Sequence, residues 1–185
     1  MKIISQYFNI GKSREFEKKA LNFEKNLNKL NFTDYFISNE TNAMNSFSKK
    51  RIPKVIPRRW NNRYIPTFIL NTIQQYKVDV LYVHIDGVFR FIPDKQMFDD
   101  YEICVSKGKD LSLVKDNILM SPVFFRYSDY SIKFIEEWIE LCKVRTENLT
   151  EHDYFKELIE SGRYRHKVIE GLGSRNPQCK TAFHF

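Results

Sequence analysis

The stretch Val78–Phe91, VDVLYVHIDGVFRF, limits what this chain can fold into more than any other. It opens as a run of apolar and β-branched residues with no polar side. That pattern suits a central strand covered by helices on both faces. The run then breaks into His84-Ile85-Asp86-Gly87. A buried strand that ends in a carboxylate and a glycine commonly aims the carboxylate at a ligand. The plain alternative is an Asp that caps a turn. His84 stands two residues from Asp86, so on a strand both would face the same side.

The flanking segments say what surrounds this strand. Lys2–Phe8 reads as a strand, with a turn at Asn9-Ile10-Gly11. Ser13 is placed to cap a helix, and Glu15 and Glu17 fall in its first turn, where the dipole favours them. Phe16, Ala20, Phe23, Leu27 and Leu30 then recur at steps of three and four, one face of an amphipathic helix. Asp34–Ser38 is a short strand and Asn39–Ser48 a polar loop. Pro53, Pro57 and Pro66 forbid a continuous helix over the next segment, but Pro66 suits the first turn of a new one. Ile69, Ile73 and Tyr76 share a face there. Tyr101–Val105 and Asn117–Tyr127 are further strands, the second interrupted by Pro122. A helix capped by Ser128 or Ser131 should bury Ile135, Trp138, Ile139 and Cys142. Thr150 and Asp153 form a capping box for a last helix through Glu160. Lys167–Glu170 and Ala182–Phe185 are candidate closing strands. Strands alternating with helices predict an α/β fold, and in such sheets ligands bind at the carboxyl ends of strands.

Composition removes several classes. A chain of 185 residues that is 42% hydrophobic can build one domain with a full core. No window of about 18 apolar residues is present, so no transmembrane helix is expected; contact with a membrane surface stays open. The start of the chain lacks the pattern of a secretory signal. Cys104, Cys142 and Cys179 are odd in number and widely spaced, which suggests neither a disulfide framework nor a zinc site. A reducing, cytoplasmic setting is the expectation. Residues 1–78 carry 15 Lys/Arg against 5 Asp/Glu, while the rest carries 15 against 18. The basic excess peaks between Lys49 and Arg63, a cluster that attracts phosphate or is simply a solvated face. Nucleic-acid binding is the weaker use of it, because no nucleic-acid motif accompanies the charge.

The chemistry narrows to a few side chains. Asp86 could hold a divalent ion, and Gly87 would leave room for a substrate's approach. His84 is a ligand, a phosphate or ribose contact, or a half-buried structural histidine. His184, flanked by apolar residues, reads as structural by itself. Glu151 could act as general base for a hydroxyl, whereas Asp153 is explained by its cap. Arg63 could pair with a diphosphate; neighbouring Trp60 is a stacking surface or core.

Taken in order, these residues resemble a known family. Trp60, Pro66-Thr67-Phe68-Ile69-Leu70 and Asp79 through Gly87 look like the middle of a GT-A fold nucleotide-diphospho-sugar transferase. The likeness continues through Pro93, Met97-Phe98, Tyr101-Glu102-Ile103, Ser121–Arg126, the Trp138 helix, Glu151-His152 and Phe183-His184. Two positions depart. His84 stands where the family's Asp-x-Asp motif has its first Asp, and Ile65 stands where a Lys precedes the proline. The resemblance implies a GT-A-like, Rossmann-like single domain. Its mainly parallel sheet is flanked by helices, with a smaller mixed-sheet C-terminal part. Residues 1–90 or so would bind the nucleotide and the remainder the acceptor. It implies glycosyl transfer from a nucleotide sugar, with uridine diphosphate the expected carrier, to a glycan or other hydroxyl acceptor, assisted by Mn²⁺ or Mg²⁺. Tyr7 or Phe8 would lie near the base, Arg63 near the phosphates, His84 near the ribose or metal, and Asp86 with His184 at the ion. Glu151 would be the base. A catalytically degenerate module that binds a glycan or protein partner is the alternative.

Overall fold

A computed structural model describes residues 1–9, 13–42, 63–109, 116–144, 149–174 and 181–184. The basic stretch Lys49–Arg59, Trp60 and Cys179 lie outside the described residues, as do the turn at Ile10-Gly11 and most of the 39–48 loop.

Six strands make the main sheet: β1 (Lys2–Tyr7), β2 (Tyr35–Asn39), β3 (Val80–Tyr82), β5 (Ile103–Lys109), β6 (Asp116–Phe125) and β7 (Lys167–Ile169). Their order is β2-β1-β3-β6-β5-β7. Only β6 runs against the others, antiparallel to both β3 and β5. A mixed α/β domain with a mainly parallel sheet is therefore observed, as the alternation of strands and helices predicts. Three short strands, β4 (Val88–Phe89), β8 (Gly173–Ser174) and β9 (Phe183–His184), form a second sheet in the order β4-β9-β8.

Alternation along β1 and β3 covers both faces of the main sheet. Ile4, Val80 and Tyr82 pack on one face beneath α2 (Ile65–Tyr76), α3 (Asp129–Val144) and α4 (Glu151–Glu160). Ile3, Leu81 and Val83 pack on the other, against α1 (Glu15–Lys29) and the small sheet. The helical residues buried are largely those the periodicity selects: Ala20, Phe23 and Leu27 on α1; Ile69 and Ile73 on α2; Ile135, Trp138, Ile139 and Cys142 on α3. Fully burying one such large apolar side chain is worth roughly 1.5–3 kcal/mol.

The helix ends also follow chemistry. Pro66 lies in the first turn of α2, where its missing N–H costs nothing. Ser128 Oγ accepts from Ser131 N–H at 3.2 Å at the start of α3. The α4 capping box is complete, with Asp153 Oδ2 accepting from Thr150 N–H at 2.6 Å. At α1 the cap position is Arg14, not Ser13, whose hydroxyl reaches Glu15 N–H only at 3.4 Å.

Pro122 does not end its strand. The β5–β6 register slips between Val105 and Ser106, whose partners are Val123 and Leu119. The proline thus falls in a bulge and removes no ladder hydrogen bond. Bulges re-aim side chains, and this one turns Ser121 toward β3.

Candidate functional site

The site is built where β1 and β3 end. Pairing continues one residue past β3, with Val83 N–H donating to Ile4 O at 3.0 Å. His84–Asp86 then turns away, closed by a bond from Gly87 N–H to His84 O at 3.2 Å. The strand is shorter than its sequence suggests, so the turn, not strand alternation, brings His84 and Asp86 together. Two buried hydroxyls fix the backbone on either side. Ser5 Oγ donates to Val83 O at 2.8 Å, and Ser121 Oγ accepts from His84 N–H at 2.8 Å. Asp86 is exposed and His84 half-buried.

Two cavities meet at this turn. One, of about 80 Å³, is lined by Gln6, Tyr7, Phe8, Phe16 and Tyr82, and by His84 and Asp86. The rings of Phe8 and Phe16 stack with centroids 5.7 Å apart. The other, of about 360 Å³, is lined by His84, Asp86, Ser121, Thr150, Glu151 and His152. His84 and Asp86 thus belong to both.

Glu151 is brought in by α4. It follows the Thr150 cap, is 4% exposed, and its carbonyl accepts from Trp138 Nε1 at 2.9 Å. The next residue, His152, has Nε2 2.9 Å from Ile118 O. The charges of Glu151 and Asp86 are both felt by Tyr82. Burial, then these two carboxylates, hold its phenol well above the usual tyrosine range.

Tyr7, Phe8, His84, Asp86 and Glu151 therefore lie around one turn. Arg63 does not join them. It is 3% exposed and donates to Cys142 O at 3.3 Å, Leu149 O at 2.7 Å and Tyr154 Oη at 3.2 Å. Carbonyls at a helix C-terminus attract such a cation, so Arg63 ties the end of α3 to the start of α4 instead of facing a phosphate. Gly87 is also corrected. A Cβ there would sit 1.9 Å from Phe183 Cζ, so the space belongs to the chain's own ring and not to a substrate. That ring brings β9 in, with His184 paired to Val88. The backbone of His184 is thereby near the turn; its side chain lies outside those described.

No protein-family model matches this sequence, and no curated protein does. Solved structures do. A glycosyltransferase involved in the glycosylation of the major capsid of PBCV-1 aligns with a TM-score of 0.65 at 10% identity, over 100% of this chain and 93% of that one. The fold is one that glycosyltransferases share. The apo form of glycosyltransferase GlyE from Streptococcus pneumoniae TIGR4 aligns at 0.55 and 13% identity, and a second GlyE structure at 0.53 and 12%. Each alignment covers 91% of this chain but 44% of the GlyE chain. At such identities the likeness concerns the fold.

Sequence reasoning missed Gln6 and took in Ser121 only as the start of the Ser121–Arg126 stretch. The signal for Gln6 was present, because Ser5-Gln6 interrupts an otherwise apolar strand. The bond from His84 N–H to Ser121 Oγ had no periodic signal, since a bulge leaves no period to read.

No group of three or more His, Cys, Asp or Glu gathers closely enough to cage an ion among the described residues. No described helix is long and apolar enough to cross a membrane.

Proposed function

We propose that the chain is a glycosyltransferase that moves a sugar from a nucleotide-diphosphate sugar, with uridine diphosphate as carrier, to a hydroxyl of a glycan or other acceptor. The observation that carries this is the pair of cavities sharing His84 and Asp86. The aromatic one suits a base and the wider one, with Glu151 at its wall, suits an acceptor. A reacting carbon at the shared turn would then face a donor phosphate on one side and a hydroxyl on the other. The nucleotide half is about residues 1–90 and the acceptor half about 91–185. The setting proposed with it is cytoplasmic.

Asp86 and a diphosphate are both anionic and would repel each other directly. Asp86 is exposed and has no ion-pair partner among the described residues. One carboxylate together with phosphate oxygens is how Mg²⁺ is commonly held, so this corner fits a phosphate-bridged ion better than a caged one. Mn²⁺ or Mg²⁺ bound there, with His184 as a further ligand, would neutralise the charge developing on the diphosphate. Tyr7 and Phe8 flank the base, and His84 contacts the ribose or phosphate. Glu151 takes the proton of the acceptor hydroxyl.

The test is calorimetric titration of UDP with and without Mn²⁺, followed by a screen of UDP-sugars for transfer or slow hydrolysis. Binding that depends on the ion and is lost in Asp86→Ala is expected. If the intact protein binds no nucleotide diphosphate under either condition, the catalytic reading is wrong. Binding without turnover on any donor would instead favour the degenerate module, a reading motivated by His84.

A further inference from the structure

The side chain of Asp86 is exposed, so its place is set by the backbone that carries it. Upstream, Ser5 and Ser121 fix that backbone. Downstream, it runs through Gly87 into β4, a strand of two residues. A strand this short is poorly held by one ladder. β9 pairs with one of its edges, where Arg90 N–H donates to Ala182 O at 2.8 Å. The other edge meets α1 instead of a strand. There both polar ends of Asn26 are spent on one residue. Its Nδ2 donates to Phe89 O at 3.0 Å, and its Oδ1 accepts from Phe89 N–H at 2.8 Å. The amide does what a neighbouring strand would do. Asparagine is among the poorer residues for a helix interior, and this clamp accounts for one in the middle of α1.

Phe23, three residues earlier on the same helical face, meets the side chain of the same residue, with ring centroids 6.0 Å apart. The Phe89 ring lies 4.9 Å from that of Phe183, which fills the space beside Gly87. Contacts therefore run from α1 through Phe89 and Phe183 to the residue after Asp86. Near its other end α1 carries Phe16, in the wall of the aromatic cavity. We propose that Asn26 is a positioning residue: by clamping the backbone of Phe89 it sets where the Asp86 carboxylate stands relative to that cavity. This rests on the reading of the corner as a site for a nucleotide diphosphate and its bridging ion. Asn26 is not among the residues lining either cavity, so its effect on a ligand passes through β4. An ion shared between one carboxylate and phosphate oxygens needs that carboxylate held closely in place. Freeing β4 weakens what the ion adds and leaves the aromatic contacts as they are.

The experiment measures UDP affinity of the full chain by calorimetry, with and without Mn²⁺, well below the melting temperature. Mn²⁺ should tighten UDP binding by the wild type about 10-fold or more. In Asn26→Leu the affinity without Mn²⁺ should stay within about 2-fold of wild type, while the gain from Mn²⁺ falls below about 3-fold. Asn26→Asp keeps the shape and the acceptor but sets a carboxylate oxygen against Phe89 O. It should show the same selective loss, and it carries the test if the leucine variant fails to fold. A merely structural clamp would lower the melting temperature and leave both affinities alone, which overturns the proposal. Equal losses with and without Mn²⁺ overturn it as well. Adding Asn26→Leu to Asp86→Ala should cause no further loss in the presence of Mn²⁺, because one residue acts through the other; additive losses would show that Asn26 acts elsewhere. If the wild type binds no UDP, or gains nothing from Mn²⁺, the reading of the corner falls and this proposal with it. A wild-type gain that both variants keep in full removes only the role of Asn26.

Discussion

Arg63 and Gln6 are both more than nine-tenths buried, and they have opposite fates. Arg63 lies where α2, α3 and α4 meet and has the Cys142 and Leu149 carbonyls and Tyr154 Oη among the acceptors around its guanidinium, with the Tyr154 ring 5.2 Å from Cζ. Gln6 lies at the carboxyl edge of the sheet, and its buried Oε1 has no hydrogen-bond partner among the described residues. One region meets its polar demands internally and is scaffold; the other leaves a demand unmet within the described chain. A cation in the sequence suggests phosphate, but which region it occupies decides what it does.

The sharpest break of the comparison is at the edge itself. Glu151→Gln keeps shape and burial but removes the carboxylate proposed as the base. Transfer should fall about 10²–10⁴-fold in kcat, with nucleotide affinity retained and the melting temperature little changed. Steady-state kinetics beside calorimetry reads both. A large drop in nucleotide affinity with kcat preserved would move Glu151 from the acceptor side to the donor side.

The scaffold should respond in reverse. Arg63→Met removes the buried cation and leaves the carbonyls of Cys142 and Leu149 without these donors. A loss of about 2–4 kcal/mol is expected, near 2–4 °C in melting temperature for each kcal/mol at this chain length. Affinity for UDP, measured well below that temperature, should not change. A selective loss of nucleotide binding with normal stability would restore Arg63 to the phosphates. Because Arg63 holds Leu149, two residues before Glu151, some loss of kcat with an unchanged KM for the donor fits the scaffold role.

Gly87 belongs to both regions. Its Cα lies at the turn, but the volume beside it is held by Phe183, which is fully buried. Gly87→Ala should cost about 1–3 kcal/mol through overpacking, read by chemical denaturation. Adding Phe183→Leu should recover part of that cost, because two touching residues are not additive. Full additivity would show that the ring is not what excludes the Cβ.

The legible and illegible parts of the fold divide on physical lines. The α1 face, the α3 core residues and the Thr150–Asp153 cap could be read because period and capping are local properties. The apolar run from Val78 correctly located the central strand. The small sheet is only partly legible, because two-residue strands carry no period and β4 has no partner until β9 arrives from the far end of the chain. Arg63, Gly87 and Gln6 fail for a shared reason. Each depends on what packs against it from more than 70 residues away in sequence, or, for Gln6, on what does not. Composition shows that a residue is cationic, small or polar; only the fold shows whether its neighbours have already answered it.

A third kind of polar group separates these extremes, and it should give the smallest effect. Glu137 on α3 accepts from Tyr164 Oη at 2.7 Å and from Arg163 Nη1 at 2.5 Å, near the surface. Burial pushes its carboxyl up, but the Tyr164 and Arg163 hydrogen bonds outweigh this and hold it below the usual value. The folded state thus favours the ionised form. Its stabilisation is present above the unfolded glutamate range, near pH 4.5, and is lost as pH falls through the lower folded value. Glu137→Gln should therefore be less stable than wild type at pH 7 by about 1 kcal/mol or less, given its partial exposure. The gap should close as the pH is lowered below about 4. Added salt should shrink it at neutral pH, whereas the cost of Arg63→Met, buried and little screened, should hardly move. A salt-insensitive gap at Glu137 would mean that this surface triad belongs with the scaffold after all.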